Sequence, residues 1–499
     1  ANPKVRHALP EPEPGSFGAE REAGIEWNVR RVQADEVWAL GYTGEGTVVA
    51  GQDTGYDWEH PALIDHYRGF NGVTATHDYN WHDAIHTPGS DCGADSEVPC
   101  DDNGHGTHTM GTMVGDDGAG HRIGVAPGAE WIGCRNMDEG VGSPETYIEC
   151  FEFFLAPYPV GGDPFTEGKP SLAPDVINNS WTCPSTEGCD RTTLQMVVEN
   201  VRAAGILVVV SAGNEGSQCW SVKTPPAIYD TAYSVGATNA ADAIASFSSR
   251  GPATVTVDGP IWMKPDVSAP GVEVRSSVPG ARYSYKRGTS MAAPHVAGTA
   301  ALLWSAAPWL KGDVDATEEI INRAARPQTT TQGCGGDSVD AVPNNVYGWG
   351  IVDALAAVER AWLPVSSRAV VLPGLSDLTV RFELTVTNGA PFTLTDVTVA
   401  DTLPMSASLV WADEGYRLVG RTVSWTVPLL PREGVVSRGL TVRWDDVTFG
   451  GVWVDEQYGV MANELSRAVT GSPTEVFIPW RTIAFPIYKG RGPGGSNDG

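Results

Sequence analysis

Three short blocks carry side chains able to perform nucleophilic hydrolysis. Asp53 lies in VVAGQDTGYDWEHPAL, His105 in NGHGTHTMGT and Ser290 in GTSMAAPHVAG, each set in Gly-rich turn chemistry. A serine hydroxyl is a weak nucleophile at neutral pH. It needs a base within hydrogen-bond reach and a carboxylate that orients and stabilises that base. An acid, a base and a hydroxyl supply those three parts. The segment that follows Ser290, MAAPHVAGTAALLWSAA, is apolar on nearly every helical face, which predicts a buried helix with Ser290 at its N-terminus. Unpaired N–H groups and the positive end of the dipole favour a developing oxyanion there. Pro294 falls in the first turns, where a missing N–H is best tolerated.

Asp, then His, then Ser is the chain order of subtilisin, and neither chymotrypsin nor the α/β-hydrolases share it. A fourth block, ILVVVSAGNEG over 206–216, joins the other three. On these motifs residues 25–362 resemble the subtilisin-like serine proteases, and DYNWHDAIH, PPAIYD and ASFSSRGP point toward the bacterial bacillopeptidase F-like members. The resemblance implies that Ser290 attacks a peptide carbonyl while His105 takes its proton and later gives it to the leaving amine. Asp53 then holds the imidazole in the productive tautomer, and Asn214 supplies part of the oxyanion hole. Without the other blocks Asn214 would read as an ordinary turn Asn held by its own Asx geometry.

The same resemblance implies that substrate binds as an added strand on two edges, one formed by Gly140, Val141 and Gly142 and the other by Ser180, Trp181 and Thr182. The family pattern has Leu and two glycines where this chain has Trp181, Thr182 and Cys183. Trp181 therefore either narrows the pocket or turns into the core. Met291, next to the nucleophile, is expected to be open to oxidation, with a sulfoxide there lowering turnover. The expected activity is a secreted endopeptidase, monomeric and acting on polypeptides, although the same triad also serves esterases. The competing reading is a catalytically silent scaffold that acts as a binding or structural module.

No cofactor is expected for the chemistry. The family's tight calcium site begins at the position held here by Ala62, so a site of that type is not expected. The acidic loop from Asp91 to Asp102 offers hard oxygen ligands for a structural calcium elsewhere, and no coordination shell can be named. His108 reads as a packed or hydrogen-bonded residue before a metal ligand. His77, His82 and His86, with Asp78 and Asp83, read as a loop before a metal site. His60 and His295 match family positions that are not catalytic.

At 499 residues the chain exceeds one hydrophobic core, and 41% hydrophobic content with 17 Trp suffices for two. No apolar run reaches the ~18 residues of a membrane span. A formal net charge of −28 opposes nucleic acid and anionic membrane as partners, since both would be repelled. Of the eight cysteines, Cys92 with Cys100 and Cys183 with Cys189 could close locally. Pairing Cys134 with Cys150 and Cys219 with Cys334 would complete a set, although the sequence leaves other connectivities open.

Short β-branched runs at 47–51, 131–135, 175–179, 206–211 and 232–237 alternate with helical stretches such as 193–204. This predicts an α/β fold, a parallel sheet flanked by helices. From Leu378 to Thr387 the pattern changes to period two, and similar alternation at 422–427 and 440–444 predicts a smaller all-β sandwich. The expected organisation is a leader over 1–24, a catalytic domain over 25–362, a β-sandwich over 363–485 and a flexible tail over 486–499. No signal peptide stands at Ala1, which reads as a mature or trimmed form.

Overall fold

Strands whose side chains are buried on both faces must lie inside a sheet that is covered on both sides, and the chain's apolar runs do so. The computed structural model describes residues 24–87, 89–256, 258–372, 378–405, 407–444, 452–455 and 457–477. The leader expected over 1–24 lies outside these except for Gly24, and the tail expected over 486–499 lies wholly outside. Two compact units meet in sequence between residues 361 and 362.

The elements of the first unit that bear on function are β1 (Val48–Asp53), β2 (Trp81–Asp83), α1 (His105–Val114), β3 (Glu130–Arg135), β4 (Met137–Asp138), β5 (Val141–Gly142), α2 (Pro144–Leu155), β6 (Val176–Asn179), α3 (Gln195–Ala203), β7 (Leu207–Ser211), β8 (Tyr233–Thr238), β9 (Val267–Pro270) and α4 (Thr289–Ala306). Seven strands form one parallel sheet in the order β9-β8-β7-β6-β1-β3-β2. From β1 the chain places β2 and β3 on one side and β6 through β9 on the other. In open α/β sheets such a switch point, at the carboxyl ends of the strands, is where ligands bind. Asp53 ends β1, Ser180 follows β6, and Asn214 lies just beyond β7.

The expected α/β class and its strands are present. Two strands of this sheet were not anticipated, β9 and the three-residue β2, the latter inside the segment read as a loop. A strand this short shows no periodicity, so only its pairing with β3 reveals it. Every residue of α4 except Ser305 is buried, as its all-round apolar sequence requires. Pro294 cannot donate to the carbonyl of Ser290 four residues back. The Ser180 hydroxyl takes that place, donating to Ser290 O at 2.8 Å.

Four disulfides, Cys92–Cys100, Cys134–Cys150, Cys183–Cys189 and Cys219–Cys334, use all eight cysteines. The last closes a loop of 115 residues that contains Ser290.

The second unit is all-β. Its main strands are β10 (Val365–Leu372), β11 (Leu378–Thr387), β12 (Leu394–Thr402), β13 (Ala407–Ala412), β14 (Arg417–Val419), β15 (Thr422–Leu430), β16 (Val435–Trp444), β17 (Val452–Asp455), β18 (Tyr458–Met461) and β19 (Val469–Thr470). All but β17 form antiparallel sheets in the orders β10-β11-β16-β13 and β14-β15-β12-β18-β19, and β17 pairs with Thr474–Phe477. Val380, Phe382, Leu384 and Val386 are buried in alternation along β11, matching the period-two pattern.

Candidate active site

The loop DDNG makes α1 begin at His105. The Asp101 carboxylate accepts from Gly104 N at 2.7 Å and from Thr107 N at 3.0 Å, taking first-turn N–H groups that have no helical partner. Thr54, the residue after β1, donates its hydroxyl to Asp101 at 2.8 Å and accepts from Gly106 N at 3.0 Å. The end of β1 is thereby clipped to the first turn of α1. Gly106 is required in this clip because a Cβ there would come within 2.1 Å of Gly55 O.

The clip brings Asp53 and His105 together. Asp53 Oδ1 lies 2.7 Å from His105 Nδ1, both residues are buried, and Thr54 N donates to the same oxygen at 2.7 Å. A carboxylate at Nδ1 fixes the proton on that nitrogen and leaves Nε2 with its lone pair. Nε2 is buried and has no hydrogen-bond partner among the described residues.

Ser290 is the second residue of α4, and its own N–H belongs to the first turn, where no intrahelical partner exists. Its hydroxyl donates to Ser180 O at 2.9 Å, so in this state it is turned to β6's exit and makes no hydrogen bond to His105. Ser180 is itself held by Asn178 Nδ2 at 2.9 Å.

Asn214, half-buried, accepts through Oδ1 from Thr289 N at 2.9 Å and Thr289 Oγ1 at 3.0 Å. Two donors on the oxygen orient the amide, so its NH2 faces away from Thr289 as the remaining polar end. An ordinary Asx turn would have spent that oxygen on Asn214's own loop.

The first expected edge is a hairpin. Met137 pairs with Gly142 and Asp138 with Val141, while Glu139 and Gly140 take positive φ values of 50° and 84°. The second edge, Ser180, Trp181 and Thr182, leaves β6. The Trp181 indole turns into the core, where Nε1 donates to Gln52 O at 3.0 Å and the ring stacks on Tyr147 at 4.0 Å with planes 6° apart. Of the two readings of Trp181, the buried one holds for its side chain, leaving its main chain for the edge. Met291 is fully buried beside Ser290.

Five further histidines make contacts of their own. His108 Nε2 donates to Val274 O at 3.1 Å, and burial holds the ring neutral by pushing its pKa well below the usual value. His295 is pushed down to about 4 by burial and sits between Met291 O and Asn28. His60 bonds Arg282 O at 2.9 Å. His82 and His86 both meet Glu149, and His86 also meets Asp95. Ala62 is buried, and among the described residues no cluster of His, Cys, Asp or Glu is arranged to hold a metal.

Sequence reasoning missed Lys286, whose ammonium donates to Gly104 O at 2.7 Å and is drawn to Asp101 and Asp53 against the burial that lowers its pKa. It also missed Arg135, fully buried and paired with Asp83 at 2.9 Å and Asp102 at 3.3 Å. Neither carries a local signal, since each partner lies tens of residues away.

A model of the subtilase family matches residues 44–350. Bacillopeptidase F of Bacillus subtilis (strain 168) is 42% identical over 345 residues, covering 67% of this chain and 22% of that protein. Subtilisin of Bacillus pumilus is 32% identical over 293 residues, covering 58% of this chain and 88% of the relative. Subtilisin Savinase of Lederbergia lenta is 32% identical over 335 residues, covering 67% and 98%. The chain thus spans about a fifth of the first of these and nearly all of the last. Among the described residues no helix is long and apolar enough to cross a membrane.

Proposed function

Because the chain belongs to the subtilase family, we propose that it is a secreted, monomeric serine endopeptidase that cleaves polypeptides through an acyl-enzyme on Ser290. The observation that carries this reading is the buried Asp53–His105 pair at 2.7 Å, whose free Nε2 stands at the same strand ends as Ser290. Rotation of the Ser290 side chain from Ser180 O to His105 Nε2 arms the nucleophile. As Oγ attacks the substrate carbonyl, His105 takes its proton, and Asp53 stabilises the imidazolium. The Ser290 N–H and the Asn214 NH2 receive the oxyanion. His105 next protonates the leaving amine, and water repeats the sequence on the ester.

The substrate strand lies between Gly140–Gly142 and Ser180–Thr182, with main-chain bonds supplying affinity. The chemistry draws on the chain's own side chains, and any structural calcium acts on stability alone. The domain reading is a catalytic unit over 25–362 and a β-sandwich over 363–485, with the latter an appendage. A fluorophosphonate should label Ser290, and the wild type should digest casein while Ser290→Ala does neither. A folded wild type that does neither would replace this reading with the silent scaffold.

A further inference from the structure

Asp101 and Asp102 are neighbours in the loop before α1, yet their carboxylates serve different elements. Asp101 accepts from the first turn of α1 and so places His105. Asp102 turns instead to the hairpin of β4 and β5, where its Oδ1 accepts from Glu139 N at 3.0 Å. Its Oδ2 accepts from Ser90 Oγ at 2.6 Å and from the buried Arg135 guanidinium at 3.3 Å. Ser90 donates its own N–H to Asp138 Oδ1 at 3.2 Å, a second tie to the same hairpin. The Asp102 side chain is 1% exposed, so water does not compete for its oxygens.

Glu139 is the residue of the hairpin that needs holding. Its φ of 50° lies in the left-handed region, where the Cβ of an L residue is crowded, while Gly140 at 84° meets no such cost. Two-residue turns with both central residues at positive φ favour Asn, Asp or Gly at the first place, and a glutamate stands there instead. A carboxylate on the Glu139 N–H makes a charge-assisted bond, roughly twice as strong as a neutral one. It offsets the preference of Glu139 for another conformation and so fixes the turn from which Gly140, Val141 and Gly142 continue.

We propose that Asp102 is a positioning residue that holds the Gly140–Gly142 edge in register with His105, so that affinity for an extended peptide depends on its carboxylate. The inference rests on the reading of Gly140–Gly142 as a substrate edge. A peptide too short to reach that edge does not sense Asp102. Burial raises the Asp102 pKa to about 6, against the lowering by Ser90, the Glu139 amide and Arg135. A neutral carboxyl is the weaker acceptor, so the hold on Glu139 slackens as pH falls through that value. The charged groups around Asp102 are Arg135 of β3, Asp83 of β2 on the same guanidinium, Asp101 in its own loop, and Asp138 and the exposed Glu139 on the hairpin.

The test uses the full chain. Casein sites cut by the wild type supply a nested set of peptides around one scissile bond, and their binding to Ser290→Ala is measured from pH 5 to 8. Adding Asp102→Ala should weaken the longest peptides on the order of tenfold and leave the shortest little changed. Glu139→Gly, which takes a positive φ without crowding, should recover part of that loss, an outcome that general loosening of the fold would not give. Asp102→Asn leaves Arg135 and Asp83 as a neutral pair and keeps an acceptor for Glu139 N, so it folds where the alanine variant does not. It should abolish the weakening of long peptides on going from pH 8 to pH 5, with the shortest peptides controlling for titration of His105. Long and short peptides that lose affinity alike in Asp102→Ala overturn the proposal, as does a long-peptide pH response that survives in Asp102→Asn. A gain of affinity with length that is unchanged in Asp102→Ala removes Asp102 and leaves the edge standing. Binding to Ser290→Ala that shows no gain with length overturns the edge reading, and the role of Asp102 with it.

Discussion

Ser180→Ala tests how the nucleophile's helix is held. Pro294 offers no N–H to Ser290 O, and the Ser180 hydroxyl donates to that carbonyl at 2.8 Å. The same hydroxyl accepts from Asn178 Nδ2 at 2.9 Å, so removing it orphans one buried acceptor and one buried donor. Each costs roughly 1–3 kcal/mol, and a loss of about 2–5 kcal/mol is expected because Asn178 can partly relax. Pro294→Ala restores an N–H four residues after Ser290. In that background Ser180→Ala orphans only Asn178, so its cost should fall by about 1–2 kcal/mol. The four proteins of this cycle, all carrying Ser290→Ala to suppress autolysis, are compared by urea unfolding; the substitution at 290 leaves its carbonyl in place. Strictly additive losses would refute the assignment of Ser180 as the substitute donor for the proline.

Three further outcomes follow from other contacts. Asn214→Asp keeps the acceptor that caps Thr289 and loses the NH2, so stability should hold while kcat falls on the order of 100- to 1000-fold; an unchanged kcat would remove Asn214 from the oxyanion site. Replacing both Cys219 and Cys334 by Ser frees a 115-residue loop and should cost about 5 kcal/mol, against about 2 kcal/mol for Cys183 and Cys189 with a separation of 6; the reverse ranking in denaturant melts would defeat the chain-entropy argument. In the second unit, burial and the nearby charge of Asp455 raise Asp401 to about 8, above an unfolded value of about 3.9. The folded state then binds more protons between those values, so stability declines as pH rises through that window. Asp401→Asn should flatten the decline in scanning calorimetry, and parallel wild-type and variant curves would contradict it.

Much of the architecture could be read from the sequence because its signals are local. Apolar runs marked β1, β3, β6, β7 and β8, an all-round apolar stretch marked α4, and alternation marked β11. Ser290 at a buried helix start and His105 in a Gly-rich turn are likewise local patterns. The reciprocal bonds of Ser180 and Ser290 are not, since they join residues 110 apart. Lys286 and Gly104 are separated by 182, and no pattern around either points to the other.

Trp181 shows why local reading stops short at the substrate edges. A large residue where the family has Leu suggests a narrower pocket only if its side chain points outward. Its direction is decided by Tyr147, which stacks on it, and by Gln52 O, which accepts its N–H. Tyr147 can lie there because Gly142 has no side chain, and its hydroxyl then finds Glu187. One aromatic on α2 thus turns the expected pocket wall inward and places a carboxylate beneath the opposite edge. The bulk of Trp181 is therefore spent in the core and does not line the proposed edge.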